Sequence, residues 1–278
     1  MTSSVSIGIV ANPSDERAQS LARSLGETLA NDDGVTVAID ESTASTPEKP
    51  GRSVESLSSC AFVVSIGGDG TLLYVVRHVG STPVVGVNLG EVGFLTAVDP
   101  DRARSTIESL VEQCRTDSLT TRHRSRILAR TETGTVGPAL NEIVVGTETR
   151  GPVSETTYEI EVDDETYART VADGVLVATP TGSTAYNLGE GGPVCHPAVG
   201  TLVVSVMGDR TPVPSLVVDS NATVSVTATD GPDGGILSDG RERLAYEPPE
   251  TITVERATEP AVLAGPQSEF FAALDKLR

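Results

Sequence analysis

Short apolar runs alternate with amphipathic stretches along the first third of the chain. The runs cover residues 5–10, 35–39, 61–66 and 83–87, and each has the length of a buried strand. Between them the apolar residues recur every three or four positions, which predicts helices such as one over about residues 15–30. Alternation of strand and helix is typical of a parallel, Rossmann-like sheet that binds ligands at the carboxyl ends of its strands. We therefore expect the chain to begin with an α/β domain.

Two helices of this domain have recognisable starts. Ser14 precedes an acidic first turn and is the expected N-cap of the first helix, because its hydroxyl can accept a backbone N–H. Another helix is expected over residues 101–115, with Asp99 or Asp101 near its start.

The sequence pattern changes near residue 120. Residues 121–254 form short runs rich in Thr and Val, broken by Gly, Pro and Asp, and these predict an antiparallel β-sandwich domain. A final helix is expected over residues 267–277. Its apolar stripe would comprise Phe270, Phe271, Leu274 and Leu277. We expect this helix to return to the first domain, although a free amphipathic tail would have the same pattern.

The net charge of the chain argues against some classes of binding partner. It carries 20 basic and 39 acidic residues, a net charge of −19, with Lys49 and Lys276 as its lysines. Together with the absence of Trp, this is typical of a protein from an extreme halophile, and a mesophilic acidic protein remains an alternative. Nucleic acid and anionic membranes need a basic surface, so neither is an expected partner. Self-repulsion predicts that folding and activity require molar salt.

The cysteines and the termini indicate the compartment. Cys60, Cys114 and Cys195 are odd in number and far apart, which fits neither a disulfide framework nor a zinc site. The chain opens directly on a strand pattern, without the features of a signal peptide, and no apolar run approaches membrane-spanning length. We expect a soluble, cytoplasmic protein.

A glycine-rich turn follows the third apolar run and reads Gly67-Gly68-Asp69-Gly70-Thr71. Such a strand–turn–helix exposes backbone N–H groups to an anion, and the single carboxylate suits proton removal or a metal that bridges phosphates. Ordinary turn chemistry is the alternative. The turn resembles the phosphate-donor loop shared by NAD kinases, 6-phosphofructokinases and diacylglycerol or sphingosine kinases.

Two further motifs lie in the β-rich region. Asn141-Glu142 precedes an apolar run, and residues 179–186 read Thr-Pro-Thr-Gly-Ser-Thr-Ala-Tyr after the strand pattern of residues 174–178. The hydroxyls and uncovered backbone amides of residues 179–186 could hydrogen-bond to the hydroxyls of a sugar and to the edges of a base. The alternative is a loop that is rich in hydroxyls without binding a ligand. Asp173 and Glu142, considered singly, are more often surface carboxylates than site residues.

The chain closely resembles an NAD kinase over about residues 5–197. The resemblance rests on the order and spacing of the three motifs and on residues 88–96, which read Asn-Leu-Gly-Glu-Val-Gly-Phe-Leu-Thr. The resemblance implies phosphoryl transfer from ATP or polyphosphate to the 2′-hydroxyl of the adenosine ribose of NAD, with Mg²⁺ held mainly through the donor phosphates. Asp69 would be the general base. The donor phosphates would be bound by Gly67, Gly68, Gly70 and Thr71, with Arg77 as an added positive charge. The residues implied for NAD are Asn141, Glu142, Asp173, Thr181, Thr184, Ala185, Tyr186, Asn187 and Gly189.

The resemblance also implies an organisation and an assembly. A phosphate-donor domain is expected over residues 1–120, an NAD-binding domain over 121–262, and the returning helix over 263–278. A homodimer or homotetramer is expected. Residues 198–245 depart from the family pattern; for example, its Asp-Gly-Gln turn is replaced by Asp239-Gly240-Arg241. These departures leave an NAD(P)-binding sensor with little kinase activity as an alternative. A lipid or sugar kinase of the same superfamily, which would share the glycine turn, is another.

Overall fold

The computed structural model describes residues 4–43, 50–90, 93–147 and 156–277. Residues 44–49, and Glu91 and Val92 of the motif at residues 88–96, lie outside the described residues. The chain divides into two compact units. The N-terminal unit comprises Met1–His123 and Ala261–Arg278, and the β unit comprises Arg124–Pro260.

Strands and helices follow the predicted order. The described strands are β1 Val5–Ala11, β2 Val35–Ile39, β3 Phe62–Gly67, β4 Val84–Asn88, β5 Thr121–Arg124, β6 Ile127–Arg130, β7 Thr135–Ala139, β8 Glu142–Thr147, β9 Thr156–Val162, β10 Glu165–Ala172, β11 Gly174–Ala178, β12 Thr201–Met207, β13 Leu216–Asp219, β14 Val224–Ala228, β15 Gly234–Ser238, β16 Glu242–Tyr246, β17 Glu250–Arg256 and β18 Ala261–Ala264. The described α-helices are α1 Glu16–Ala30, α2 Asp69–Val79, α3 Ala103–Arg115, α4 Tyr186–Gly189 and α5 Phe270–Asp275.

The N-terminal unit is built on a sheet that is covered on both faces. Its described strands have the order β2-β1-β3-β4-β18-β5, and β1 to β4 pair in parallel. Phe62 and Ile66 of β3 lie in the core that α1 and α3 share. On the opposite face, Leu72 of α2 lies so close to Gly86 that a Cβ there would be 2.7 Å from Leu72 Cδ1. Burial on both faces explains the continuous apolar runs, and the expected α/β arrangement is confirmed.

Both predicted helix starts need correction in detail. The N-cap of α1 is Asp15, not Ser14, because the Asp15 carboxylate accepts the backbone N–H of Arg17 at 2.9 Å. Before α3 the chain forms a 3₁₀ turn at Pro100–Arg102, and Asp99 caps that turn by accepting the N–H of Asp101. The apolar pattern locates a helix well, but it does not distinguish between capping residues that are one or two positions apart.

The β unit is a sandwich of antiparallel sheets. The described strands form one sheet with the order β10-β9-β14-β17-β6-β7 and another with the order β13-β12-β11-β8-β15-β16. Their facing side chains form one core, to which Ile143 and Val177 contribute from the second sheet and Tyr158 and Ile160 from the first. The outer face of β8, β11 and β12 is buried too, against Tyr186 and Cys195. The predicted all-β domain is confirmed.

After the β unit the chain re-enters the first sheet, because Leu263 of β18 pairs in parallel with Val84 of β4. The predicted boundary between residues 262 and 263 falls inside β18. The final helix belongs to the N-terminal unit, as expected, but it is shorter than predicted and its stripe is different. Ala273 is buried, whereas Phe271 is 72% exposed and Leu277 45% exposed. Among the described residues, no helix has the length and apolar character needed to cross a membrane.

Candidate functional site

The glycine turn lies at the carboxyl end of β3, where the parallel sheet predicted it. Gly67 ends the strand and Gly68 caps α2. A Cβ on Gly67 would lie 2.5 Å from Thr71 Oγ1, so this position has no room for a side chain. At Gly68 and Gly70 a Cβ would meet no protein atom within 4 Å. The backbone at the N-terminus of α2 is therefore open to a ligand, and helix N-termini attract anions.

Asp69 is held by a neighbouring segment that sequence reasoning did not connect to it. Its Oδ2 accepts the N–H of Phe94 at 2.9 Å. Its Oδ1 accepts the N–H groups of Leu95 at 3.2 Å and Thr96 at 3.0 Å, and the Thr96 hydroxyl at 2.9 Å. We call residues 94–96 the brace segment. It fixes the carboxylate at the first turn of α2.

The brace segment is itself attached to the ends of β3 and β4. The N–H of Leu89 donates to Gly67 O at 2.9 Å, which joins the two strand ends. A Cβ on Gly93 would lie 2.4 Å from Thr96 O and 2.7 Å from Asn88 Nδ2, so the turn into the brace segment requires glycine. This close packing explains the glycine at position 93 of the motif.

Arg77 lies far from the glycine turn by backbone position. It is in the last turn of α2, and Asp69 begins that helix. Eight residues of α-helix correspond to about 12 Å along the axis. Its binding role stays a prediction from the resemblance, and the helix geometry does not favour it.

In the β unit, the structure brings Asn141-Glu142 and the Thr-rich stretch together. The N–H of Thr179 donates to Asn141 O at 2.8 Å, and the Thr179 hydroxyl donates to Leu140 O at 2.6 Å. A Cβ on Gly182 would lie 2.1 Å from Asn141 O. Hence the glycine allows the turn to rest directly on the backbone of the Asn-Glu pair.

Glu142 is a buried carboxyl, with 7% of its surface exposed. Its carboxyl interacts with the backbone N–H of Tyr186 through a hydrogen bond. Its Oε2 is buried without a hydrogen-bond partner among the described residues. Burial, followed by the negative charge of Asp239, raises the pKa of Glu142 to about 8. Near neutral pH the group is therefore largely protonated, and it can donate a hydrogen bond to a ligand.

Asp239 positions the Asn-Glu pair. Its carboxylate accepts the N–H groups of Leu140 at 2.9 Å, Asn141 at 2.8 Å and Glu142 at 3.2 Å. Its backbone has a φ of 47°, in the left-handed region. The Asp-Gly dipeptide was the available sequence signal, since it marks such turns. The sequence could not show which segment the carboxylate reaches.

Arg126 is a buried cation whose charge interacts with that of Asp239. It is 2% exposed, and its Nε donates to Glu259 O at 2.9 Å. Burial lowers the pKa of the guanidinium, while the charges of Glu259 and Asp239 raise it. This arginine was missed by sequence reasoning, because nothing near it in the chain distinguishes it from surface arginines.

The remaining predicted NAD residues differ in their surroundings. Asn187 is fully buried, and its amide donates to Ser183 O and Pro193 O, each at 3.1 Å, and accepts the Ser205 hydroxyl at 3.0 Å. Its side chain thus organises the loop, and its binding role stays a prediction. The half-buried residues are Asp173, Thr181, Thr184, Ala185 and Tyr186, and Gly189 is exposed.

Two family models match the chain in succession. The ATP-NAD kinase N-terminal domain matches residues 7–114, and the ATP-NAD kinase C-terminal domain matches residues 140–264. The chain belongs to the NAD kinase family. The resemblance predicted from the three motifs is confirmed, and this membership makes the chain a kinase.

Relatives and solved structures agree with the NAD kinase assignment. The NAD kinases of the halophilic archaea Halorubrum lacusprofundi and Haloarcula marismortui are 48% and 47% identical, each over 98% of this chain and 99% and 100% of their own length. An Archaeoglobus fulgidus NAD kinase in complex with ATP is similar at a TM-score of 0.76 and 25% identity, over 98% of both chains. Yeast NADH kinase complexed with NADH shares the fold, with a TM-score of 0.84 and 20% identity. This similarity covers 99% of this chain and 87% of the yeast chain.

The described residues hold no cluster of three or more His, Cys, Asp or Glu side chains that would suit a metal ion.

Proposed function

We propose that the chain forms NADP by transferring the terminal phosphoryl group of ATP or polyphosphate to the 2′-hydroxyl of the adenosine ribose of NAD. The O2′–P bond forms while the bond from the phosphorus to the rest of the donor breaks. The hydroxyl proton goes to Asp69. Mg²⁺, when bound through the donor phosphates, neutralises charge that develops on them.

The observation that carries the proposal is the number of hydrogen bonds that each carboxylate oxygen of Asp69 accepts. Oδ1 accepts hydrogen bonds from three donors, and Oδ2 accepts one, from Phe94. A carboxylate oxygen accepts about two hydrogen bonds well. Oδ2 therefore has a lone pair for the ribose hydroxyl, and we assign it as the proton acceptor.

The binding roles follow from the surroundings of each group. Gly68, Gly70 and the first turn of α2 would receive the donor phosphates, because the backbone there is uncovered. Asn141, with Glu142 as a neutral acid, would bind the nucleotide acceptor through hydrogen bonds. Asp173 and Tyr186 would complete that half of the NAD site.

The assembly and the environment are also proposed. A homo-oligomer, dimeric or tetrameric, is proposed from membership of the NAD kinase family. The three cysteines are free, in keeping with a reducing cytoplasm. The net charge of −19 supports a requirement for molar salt.

The test is NADP formation by the purified chain in molar salt, with NAD and Mg²⁺ and with ATP or polyphosphate in parallel. Turnover with either donor is the expected result, and it identifies the donor. NADH in place of NAD measures the preference between the two acceptors. Stoichiometric nucleotide binding without product would contradict the proposal and favour a sensor.

A further inference from the structure

The brace segment depends on a distant part of the chain. It presents consecutive backbone N–H groups to Asp69, and these can converge on one carboxylate only while the segment keeps its conformation. Thr96 is buried, whereas Phe94 and Leu95 are half-buried. The contacts that hold Phe94 therefore influence where the carboxylate lies.

The C-terminal segment contacts Phe94 twice. The hydroxyl of Ser268 donates to Phe94 O. The Phe270 ring lies 6.1 Å from the Phe94 ring at an interplanar angle of 60°, within the range of favourable aromatic pairs. Backbone and side chain of Phe94 are thus both engaged by residues about 175 positions further along the chain.

The C-terminal segment is itself fixed to the sheet before it reaches Phe94. Strand β18 pairs with β4, and Arg122 donates to Gly265 O at 2.6 Å and to Pro266 O at 2.9 Å. Ala273 is buried on the inner side of α5. The position of Ser268 and Phe270 is therefore set by the same sheet that positions the glycine turn.

A cavity of about 380 Å³ is lined both by residues at and after the end of β4 and by residues of the C-terminal segment. Asn88 and Thr96 line it on one side, and Ala272 and Lys276 line it on the other. Since this space is not filled by a continuous core, loss of the Ser268 and Phe270 contacts would not be compensated by neighbouring packing.

We propose that Ser268 and Phe270 are positioning residues for phosphoryl transfer, which hold Phe94 and thereby keep the brace segment closed on Asp69. This inference rests on the proposed role of Asp69. It explains why the chain returns to its first sheet after the β unit: the returning segment completes the support of the general base.

Phe270→Ala is the main test variant, and Leu277→Ala is its control, because Leu277 is an apolar residue of the same C-terminal segment that is 45% exposed, whereas the ring of Phe271 lies 5.6 Å from that of Phe270. Hydrogen exchange of the backbone amides of residues 94–96 is the first measurement, and it does not depend on activity. Exchange should accelerate in Phe270→Ala and remain as in the wild type in Leu277→Ala. Unchanged exchange, or equal acceleration in both variants, would overturn the proposal.

Steady-state kinetics of NADP formation form the second measurement. A misplaced base should lower kcat by about ten- to a hundredfold, with KM for NAD and donor within about twofold. Ser268→Ala should have a smaller effect of the same kind, and Phe270→Tyr should restore kcat. A rise in KM at constant kcat, or failure of Phe270→Tyr to rescue, would overturn the proposal. Absence of product from the wild type would instead refute the proposed function, while the exchange result would still decide whether the C-terminal segment holds the brace.

Discussion

Replacing Glu142 by glutamine should change how the stability of the folded chain responds to pH. The carboxyl is 7% exposed, and burial together with the charge of Asp239 raises its pKa from 4.5 to about 8. In the unfolded chain the same group titrates near its ordinary value. Glutamine has nearly the same shape and never ionises, so it mimics the protonated acid at every pH.

The sign of the effect follows from proton binding. Between the unfolded pKa and about 8, the folded protein retains a proton on Glu142 that the unfolded chain has lost. The free energy of unfolding therefore falls as pH rises through this window and levels off above it. The interval is 8 − 4.5 = 3.5 units. At about 1.36 kcal/mol for each unit, the loss is at most about 5 kcal/mol.

Thermal unfolding in molar salt measures this loss, at about pH 5 and about pH 9. The wild type should have a lower midpoint at the alkaline pH, and Glu142→Gln should lose much less. Glu165→Gln, at an exposed position on β10, controls for the removal of a surface charge. Parallel pH dependence of wild type and Glu142→Gln, or a larger alkaline loss in the variant, would refute the reasoning.

Three further outcomes are expected. Gly70→Ala should stabilise α2 by about 0.5–1 kcal/mol and yet raise KM for the phosphoryl donor. Gly67→Ala should lower the melting midpoint, because its Cβ would meet Thr71. Equal effects of the two variants on donor KM and on stability would contradict the proposal that donor phosphates bind at Gly70. Asp239→Ala leaves three backbone N–H groups without their acceptor, so it should destabilise the β unit by about 3 kcal/mol or more in unfolding experiments. It should also weaken NAD binding measured by calorimetry. Unaltered NAD affinity would contradict the positioning role of Asp239. Circular dichroism should report loss of structure on dialysis from molar to dilute salt, and a stable fold in dilute buffer would exclude the salt requirement.

Much of the fold could be predicted because its signals are local. The apolar runs of β1, β3 and β11 are buried on both faces, and burial of this kind leaves a continuous pattern in the sequence. The glycine turn could be placed at the end of β3 for the same reason. The final helix was less predictable, since its amphipathic pattern did not show that Phe271 faces solvent.

The support of the site could not be predicted, because it joins residues that are far apart in the chain. Asp69 is fixed by N–H groups 25 to 27 positions away, and Asp239 by N–H groups 97 to 99 positions away. Backbone donors have no sequence signature of their own. Asn187, which the resemblance predicts to bind NAD, uses its buried amide to hold its own loop, and the sequence did not indicate this structural role.

The central claim is that Asp69 accepts the proton of the ribose hydroxyl and is not only an anchor for the brace segment. The most direct measurement is kcat for NADP formation by Asp69→Asn and by Thr96→Val, which removes one of the donors to Oδ1 and keeps the other hydrogen bonds. We predict that Asp69→Asn lowers kcat by about 10²- to 10⁴-fold, and that Thr96→Val stays within about tenfold of the wild type. Near-wild-type turnover in Asp69→Asn, or an equally large loss in Thr96→Val, would contradict the claim.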